Sequence, residues 1–331
     1  MPLHFAREMR RLHRYSRTSR VDLAANVTAH LRLDRTDGTP LLNFVVTTGP
    51  DAFRVSDRPG DDSLPPPAAP GVRYLHAVGD SYTMGWGVDA SSSYPAQLAW
   101  LLPPELRVVN LGVDGFGTLA ATAKSMALAE RYPPAHAVYL FVPNDFSDDE
   151  QARAVEQRPA AVHWAHEALD VLRRHSALAS TPFALRYRLQ FRVGPARGEP
   201  RSFSDAAAVP ERLLVTAPPQ DTWPAPLRTR PSFVRLLEYR GFLEARGATL
   251  TVLVLSTHSE SLEMLRFCRE QGITALLIEA PPEMRLVDEG HFNALGNRAL
   301  ARLVAERVLR GVAPSGAASG ASAIGPDARP H

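Results

Sequence analysis

Cysteine and lysine are almost missing from this chain of 331 residues: Cys268 and Lys124 stand alone. A single thiol excludes an intramolecular disulfide and any cysteine-based zinc cluster. With lysine so scarce, arginine balances the acids, 37 Lys+Arg against 35 Asp+Glu, and the formal net charge is only +2. That balance lacks the electrostatic footprint of a nucleic-acid binder. The six arginines between residues 7 and 20 have little aromatic interleaving and read as a solvated N-terminal segment. Also missing is any apolar run near the ~18 residues of a membrane span. The first twenty residues lack the apolar stretch of a secretory signal, being interrupted by Arg7, Glu8, Arg10 and Arg11. The expectation is a cytoplasmic chain with no membrane span and no nucleic-acid partner.

What is present is a hydrophobic share of 45%, enough at this length to bury a sizeable core without staples. Prolines, 29 in all, are unevenly placed and mark the boundaries. Pro65, Pro66, Pro67 and Pro70 read as a stiff linker closing an N-terminal unit over 1–70. Within that unit the alternation at 41–47 and the turn signal Asp37-Gly38 suggest a small β element. From residue 71 apolar runs at 72–78, 107–111 and 137–142 alternate with helical patterns at 94–102 and 118–131. The alternation resumes later with strands at 249–255 and 274–278 and helices at 233–246, 259–271 and 294–309. The β-α-β order predicts an α/β domain over 71–312, a five-stranded parallel sheet with helices on both faces. Residues 151–232 interrupt it as a helical and irregular insertion after the third strand, opening with a helix over 151–175 that carries Trp164, Leu169 and Leu172 along one side. Residues 313–331, rich in Ala, Gly, Ser and Pro, read as a disordered tail.

In open parallel sheets reactive groups collect in the loops after the carboxyl ends of the strands. Four such loops hold Gly79-Asp80-Ser81, Asn110-Leu111-Gly112-Val113-Asp114-Gly115, Pro143-Asn144-Asp145 and Asp288-Glu289-Gly290-His291. A serine nucleophile at neutral pH needs an adjacent base, and the base needs a group that fixes its tautomer. Ser81, His291 and Asp288 can supply those roles. A tetrahedral intermediate needs donors aimed at its developing negative oxygen; the backbone N–H groups of Ser81 and Gly115 and the amide of Asn144 are the candidates. Each residue also has a plain reading: Ser81 as a helix cap, Gly115 and Asn144 as turn residues, Asp80 as a binder of loop amides. His163 and His166 sit one helical turn apart, but without cysteine or a carboxylate pattern they do not make a metal site. Neither Gly85-x-Gly87 nor Gly115-x-Gly117 completes a phosphate loop, so no cofactor is expected. Trp86 and Phe116 flank the presumed pocket.

These four segments resemble the four sequence blocks of the SGNH (GDSL-type) hydrolases, a family of serine esterases, lipases and carbohydrate esterases. Gly79-Asp80-Ser81 with Gly85 is similar to the nucleophile block, Gly115 falls at the oxyanion glycine of the second, Asn144 at the asparagine of the third, and Asp288 with His291 reproduces the terminal D-x-x-H pair. Pro143 departs from the glycine many members have there. Ala52-Phe53-Arg54 is similar to an N-terminal β element ahead of the catalytic domain in a bacterial subset. The resemblance spans about 71–150 and 233–312 and implies a flavodoxin-like three-layer α/β/α sandwich. It also implies hydrolysis of a small-molecule, glycan or lipid ester through an acyl-enzyme, with Ser81, Asp288 and His291 catalytic and Ser81, Gly115 and Asn144 forming the oxyanion hole. The insertion, which follows the Asn144 loop, is placed to act as a lid or substrate platform. Two other classes fit the same residues: an O-acyltransferase using the same triad and a non-catalytic binding module.

Overall fold

A computed structural model describes residues 2–35, 38–55, 72–103, 105–175, 213–287 and 290–309. The proline linker, Asp37, most of the second half of the insertion, Asp288 and the tail lie outside the described residues. Helix α1 (Pro2–Leu12) leads into strands β1 (His13–Ser16), β2 (Arg20–Leu23), β3 (Thr28–Asp34), β4 (Pro40–Thr48) and β5 (Arg54–Val55). The α/β part runs β6 (Arg73–Gly79), α2 (Ser81–Met84), α3 (Tyr94–Ala99), β7 (Leu106–Asn110), α4 (Thr118–Leu128), β8 (Pro134–Phe141), α5 (Asp145–Glu156) and α6 (Ala160–His175). It continues with α7 (Pro231–Glu244), β9 (Thr249–Leu255), α8 (Ser259–Glu270), β10 (Thr274–Ile278) and α9 (Ala294–Leu303).

All five parallel strands expected from the sequence are present, in the spatial order β7-β6-β8-β9-β10. This is the 2-1-3-4-5 order of flavodoxin-like sheets, whose ligands bind beyond the strand carboxyl ends. Strands β6 and β9 are buried at every position after their first residue, as expected of strands covered on both faces. Strand β8 shows the layering directly. Ala137, Tyr139 and Phe141 join Ala121, Phe233, Leu236 and Phe267 on one face. Val138, Leu140 and Val142 join Tyr94, Leu98, Leu300 and Leu303 on the other. Helices α4, α7 and α8 thus cover one face of the sheet, α3 and α9 the opposite one.

The sheet is eight-stranded, because β5, β4 and β3 extend it antiparallel beyond β7 through the single pair Arg54↔Asn110. Strand β3 alternates exposed and buried positions, which is the signature of one covered face. Its cover is α1, which buries Phe5, Met9 and Leu12. The arginine-rich start is therefore not a solvated segment: its apolar residues recur at helical spacing on one face, with Arg10 buried beside them and Arg7 and Arg11 exposed. The insertion also departs from expectation. Its first helix is two, with α6 beginning beside Pro159, since proline cannot donate within a helix interior. Trp164 and Leu172 point outward, 70% and 57% exposed. After residue 212 the chain returns along the outer edge of β10, where Leu214 bridges Ile278 and Leu213 O accepts from Glu279 N at 2.8 Å, so that edge is paired.

Candidate active site

The turn after β6 is shaped by Gly79, whose φ of +154° few side chains adopt and whose β-carbon would lie 2.4 Å from Thr83 Oγ1. Asp80 caps α2 by accepting from Tyr82 N at 2.9 Å. Ser81 is thereby presented as the first residue of α2, at the carboxyl end of the sheet's central strand. Its hydroxyl lies 2.8 Å from His291 Nε2, a contact across 210 positions of sequence. The hydroxyl also lies 3.3 Å from Asp80 Oδ2.

The loop that carries His291 is braced from several sides. Leu286 N donates to His291 O at 2.7 Å. Asn293 caps α9 through Gly296 N and donates to Glu283 O and Arg285 O. Asn297, one turn on, donates to Phe292 O at 3.1 Å and accepts from Tyr94 N at 2.9 Å. The Tyr82 ring sits 4.5 Å from the imidazole, and its hydroxyl donates to Gly290 O at 3.2 Å. Trp86 lies farther off, 6.3 Å ring to ring, and is buried between Phe5 and Phe44; Phe116 is buried as well. Asp288 lies outside the described residues.

Electrostatically the floor of the site is acidic. Burial pushes the Asp80 carboxyl up to about 6, with the nearby His291 acting in the opposite direction. Beneath it Asp145 is pushed well above the usual carboxylate range by burial and by Asp80, and it accepts from the Tyr139 hydroxyl. Asp149, raised by burial to about 6, accepts from Leu119 N at 2.8 Å and Ser232 Oγ at 2.5 Å. These carboxyls tie β8, α4, α5 and α7 together under the candidate loops.

The three oxyanion candidates come from three different loops. Ser81 contributes a backbone N–H at the start of α2. Gly115 holds φ +74°, the left-handed region that glycine adopts freely, between Asp114 and Phe116. Asp114 accepts from His13 Nε2 at 2.6 Å; burial opposes charge on both, but the pairing wins, raising the His13 pKa and lowering that of Asp114. The amide nitrogen of Asn144, exposed at the head of α5, donates one hydrogen to Asp148 Oδ2 at 2.8 Å, which fixes the face the amide presents and leaves its second hydrogen available.

Sequence reasoning passed over the contributions of residues whose partners lie far along the chain. Arg54 is buried and donates from Nη1 to Met84 O and Gly85 O and from Nη2 to Val45 O and Val88 O, all at 2.7–2.9 Å. It ties the antiparallel extension to the end of α2. His13 and Arg20 belong to the β1–β2 hairpin, which meets the second loop at Asp114 and Gly115 and α5 at Gln151. His163 Nδ1 contacts Tyr15 OH at 2.8 Å, and the His166 ring stacks on Tyr15 at 5.1 Å. No group of three or more metal-ligating side chains occurs among the described residues.

The strand order and the helices on both faces make a flavodoxin-like α/β/α sandwich. Comparison with known proteins finds no matching family model and no matching curated sequence. Among solved structures there are distant matches. A lipolytic protein of the G-D-S-L family from Veillonella parvula is 12% identical, over 72% of this chain and 100% of its own, with a TM-score of 0.39. TesA is 14% identical over 72% of this chain and 99% of its own, with a TM-score of 0.41. A carbohydrate acetylesterase from Sinorhizobium meliloti is 12% identical over 71% and 98%, with a TM-score of 0.37.

Proposed function

We propose that the protein is a serine-dependent ester hydrolase. The observation that carries this reading is the 2.8 Å approach of Ser81 Oγ to His291 Nε2 at the carboxyl end of the parallel sheet. In the mechanism this supports, His291 takes the hydroxyl proton as Ser81 attacks the acyl carbonyl. Asp288, three residues before the histidine in sequence, orients the imidazole and balances its positive charge. The N–H groups of Ser81 and Gly115 and the Asn144 amide donate to the oxyanion. Collapse expels the alcohol, which receives the proton from His291, and leaves Ser81 acylated. Water, deprotonated by the same histidine, then releases the acid. Every proton in this cycle is handled by side chains, and the cycle needs no cofactor. The insertion begins at the Asn144 loop, which supports its role as a wall of the substrate site.

Labelling with a fluorophosphonate probe tests the reading. Wild-type protein is expected to label and to hydrolyse short 4-nitrophenyl esters, whereas Ser81→Ala neither labels nor turns over, losing about 10⁴-fold or more in kcat. Equal labelling of both proteins, or turnover retained in the variant, overturns it.

A further inference from the structure

The tip of the β1–β2 hairpin holds an arginine in an unusual state. Arg20 has φ +68°, a left-handed conformation that costs free energy for any residue with a β-carbon. Such strain persists where surrounding contacts over-determine it, and it clusters at functional sites. Those contacts are present here. His13 Nε2 pairs with Asp114 at 2.6 Å, Asp22 receives Lys124 at 2.6 Å and Arg14 at 2.8 Å, and Tyr15 N donates to Asp170 at 3.1 Å. The hairpin is thus bolted to α4, to α6 and to the second catalytic loop.

The strained backbone delivers the guanidinium to the rim of the candidate oxyanion hole. Arg20 Nη2 lies 3.3 Å from the point a β-carbon on Gly115 would occupy, and Nη1 donates to the Gln151 side chain. Its neighbour Arg17 makes an instructive contrast. Arg17 is gripped by both oxygens of Glu167, at 2.6 and 2.8 Å, so its charge and its fork are consumed. Arg20 instead donates to a neutral amide among the described residues; Asp148 feels its charge but directs its Oδ2 to Asn144 rather than gripping the guanidinium. A guanidinium with an unused donor edge is a receptor for carboxylate or phosphate oxygens.

We propose that Arg20 is a specificity residue and that the natural substrate is an ester bearing an anionic group, such as a carboxylate, a few bonds from the reacting carbonyl. The proposal rests on the ester-hydrolase reading above, and its test separates the two. Turnover is measured on matched esters: mono-4-nitrophenyl glutarate against 4-nitrophenyl pentanoate for an anion on the acyl side, and 4-acetoxybenzoate against 4-methylphenyl acetate for one on the alcohol side. In one pair the wild-type kcat/KM ratio of anionic to neutral ester should exceed that of Arg20→Gly by about 10- to 100-fold, the weight of a hydrogen bond to a charged group. Arg20→Lys should recover part of the ratio. Arg17→Gln, on the outer side of the hairpin, should keep it. Because glycine relaxes the strained φ, Arg20→Gly should melt no lower than wild type, so a fallen ratio is not a folding defect. If the ratios in both pairs are the same in wild type and Arg20→Gly while turnover still depends on Ser81, the Arg20 proposal fails alone. If no ester is turned over and Ser81 does not label, the hydrolase reading fails with it.

Discussion

Ser81 Oγ has two acceptors within reach, His291 Nε2 at 2.8 Å and Asp80 Oδ2 at 3.3 Å, and the imidazole is the nearer. Asn144 is the residue whose loss should be most selective. As a proposed oxyanion donor it would act on the charged transition state more than on bound ester, so Asn144→Ala is expected to lower kcat on a neutral 4-nitrophenyl ester by about 10²–10³-fold with KM little changed. Steady-state kinetics decide it; a rise in KM with kcat intact would remove Asn144 from the oxyanion hole. Ser81 was legible because it directly follows a continuous apolar run, and His291 because it stands just ahead of the last helix, three residues after an aspartate. Asp80 was legible as a binder of loop amides because its partner Tyr82 N is two residues on; Arg20 and His13 were not legible beside the site, because their contacts arise only on tertiary folding, such as His13 with Asp114, 101 positions away.

Among the elements, the five parallel strands were readable and the N-terminal half was read less well. A strand buried on both faces has a sequence texture that survives without context, whereas α1 is short and its mean character is dominated by arginine. Its amphipathic face has meaning only once β3 exists to receive it. Pro159, by contrast, carried enough information to split the 151–175 helix, since the residue that stops one helix is also suited to start the next. The element most exposed to single substitutions is the β4–β5 extension, which meets the α/β sheet at one register pair and through Arg54. Arg54→Met keeps the aliphatic stem but strands four carbonyl oxygens. Unfolding in urea should show a loss of about 3 kcal/mol or more, and a loss under 1 kcal/mol would show that the carbonyls find other donors.

For the molecule as a whole, buried titratable groups of opposite type set the response to acid. His76 is buried between Ser125 Oγ at 2.7 Å and Tyr132 O at 2.8 Å, and burial lowers its pKa to about 4. The unfolded chain binds this proton from about pH 6.5 downward while the native chain refuses it, so His76 removes stability as pH falls from about 6.5 to 4. Asp80, raised to about 6, works the other way, since the native state holds a proton that the unfolded chain releases above about 4. It removes stability as pH rises from about 4 to 6. Two variants separate these contributions in urea titrations. His76→Gln should be less stable than wild type at pH 7.5, with the deficit shrinking by pH 5. Asp80→Asn should gain on wild type between pH 4 and 7. A His76→Gln deficit that is the same at pH 5 and 7.5 would refute the neutral buried imidazole.

The 210 positions that separate Ser81 from His291 also bear on when the protein can act. A ribosome releases the chain from its N-terminus, so the serine leaves the exit tunnel with the sheet's first parallel strand, while its base follows the last one. Until β10 has docked and α9 has packed behind it, the nascent chain carries an ordinary alcohol. On the ester-hydrolase reading, a chain cut before His291 should therefore fail to label with a fluorophosphonate even though Ser81 and most of the sheet are present.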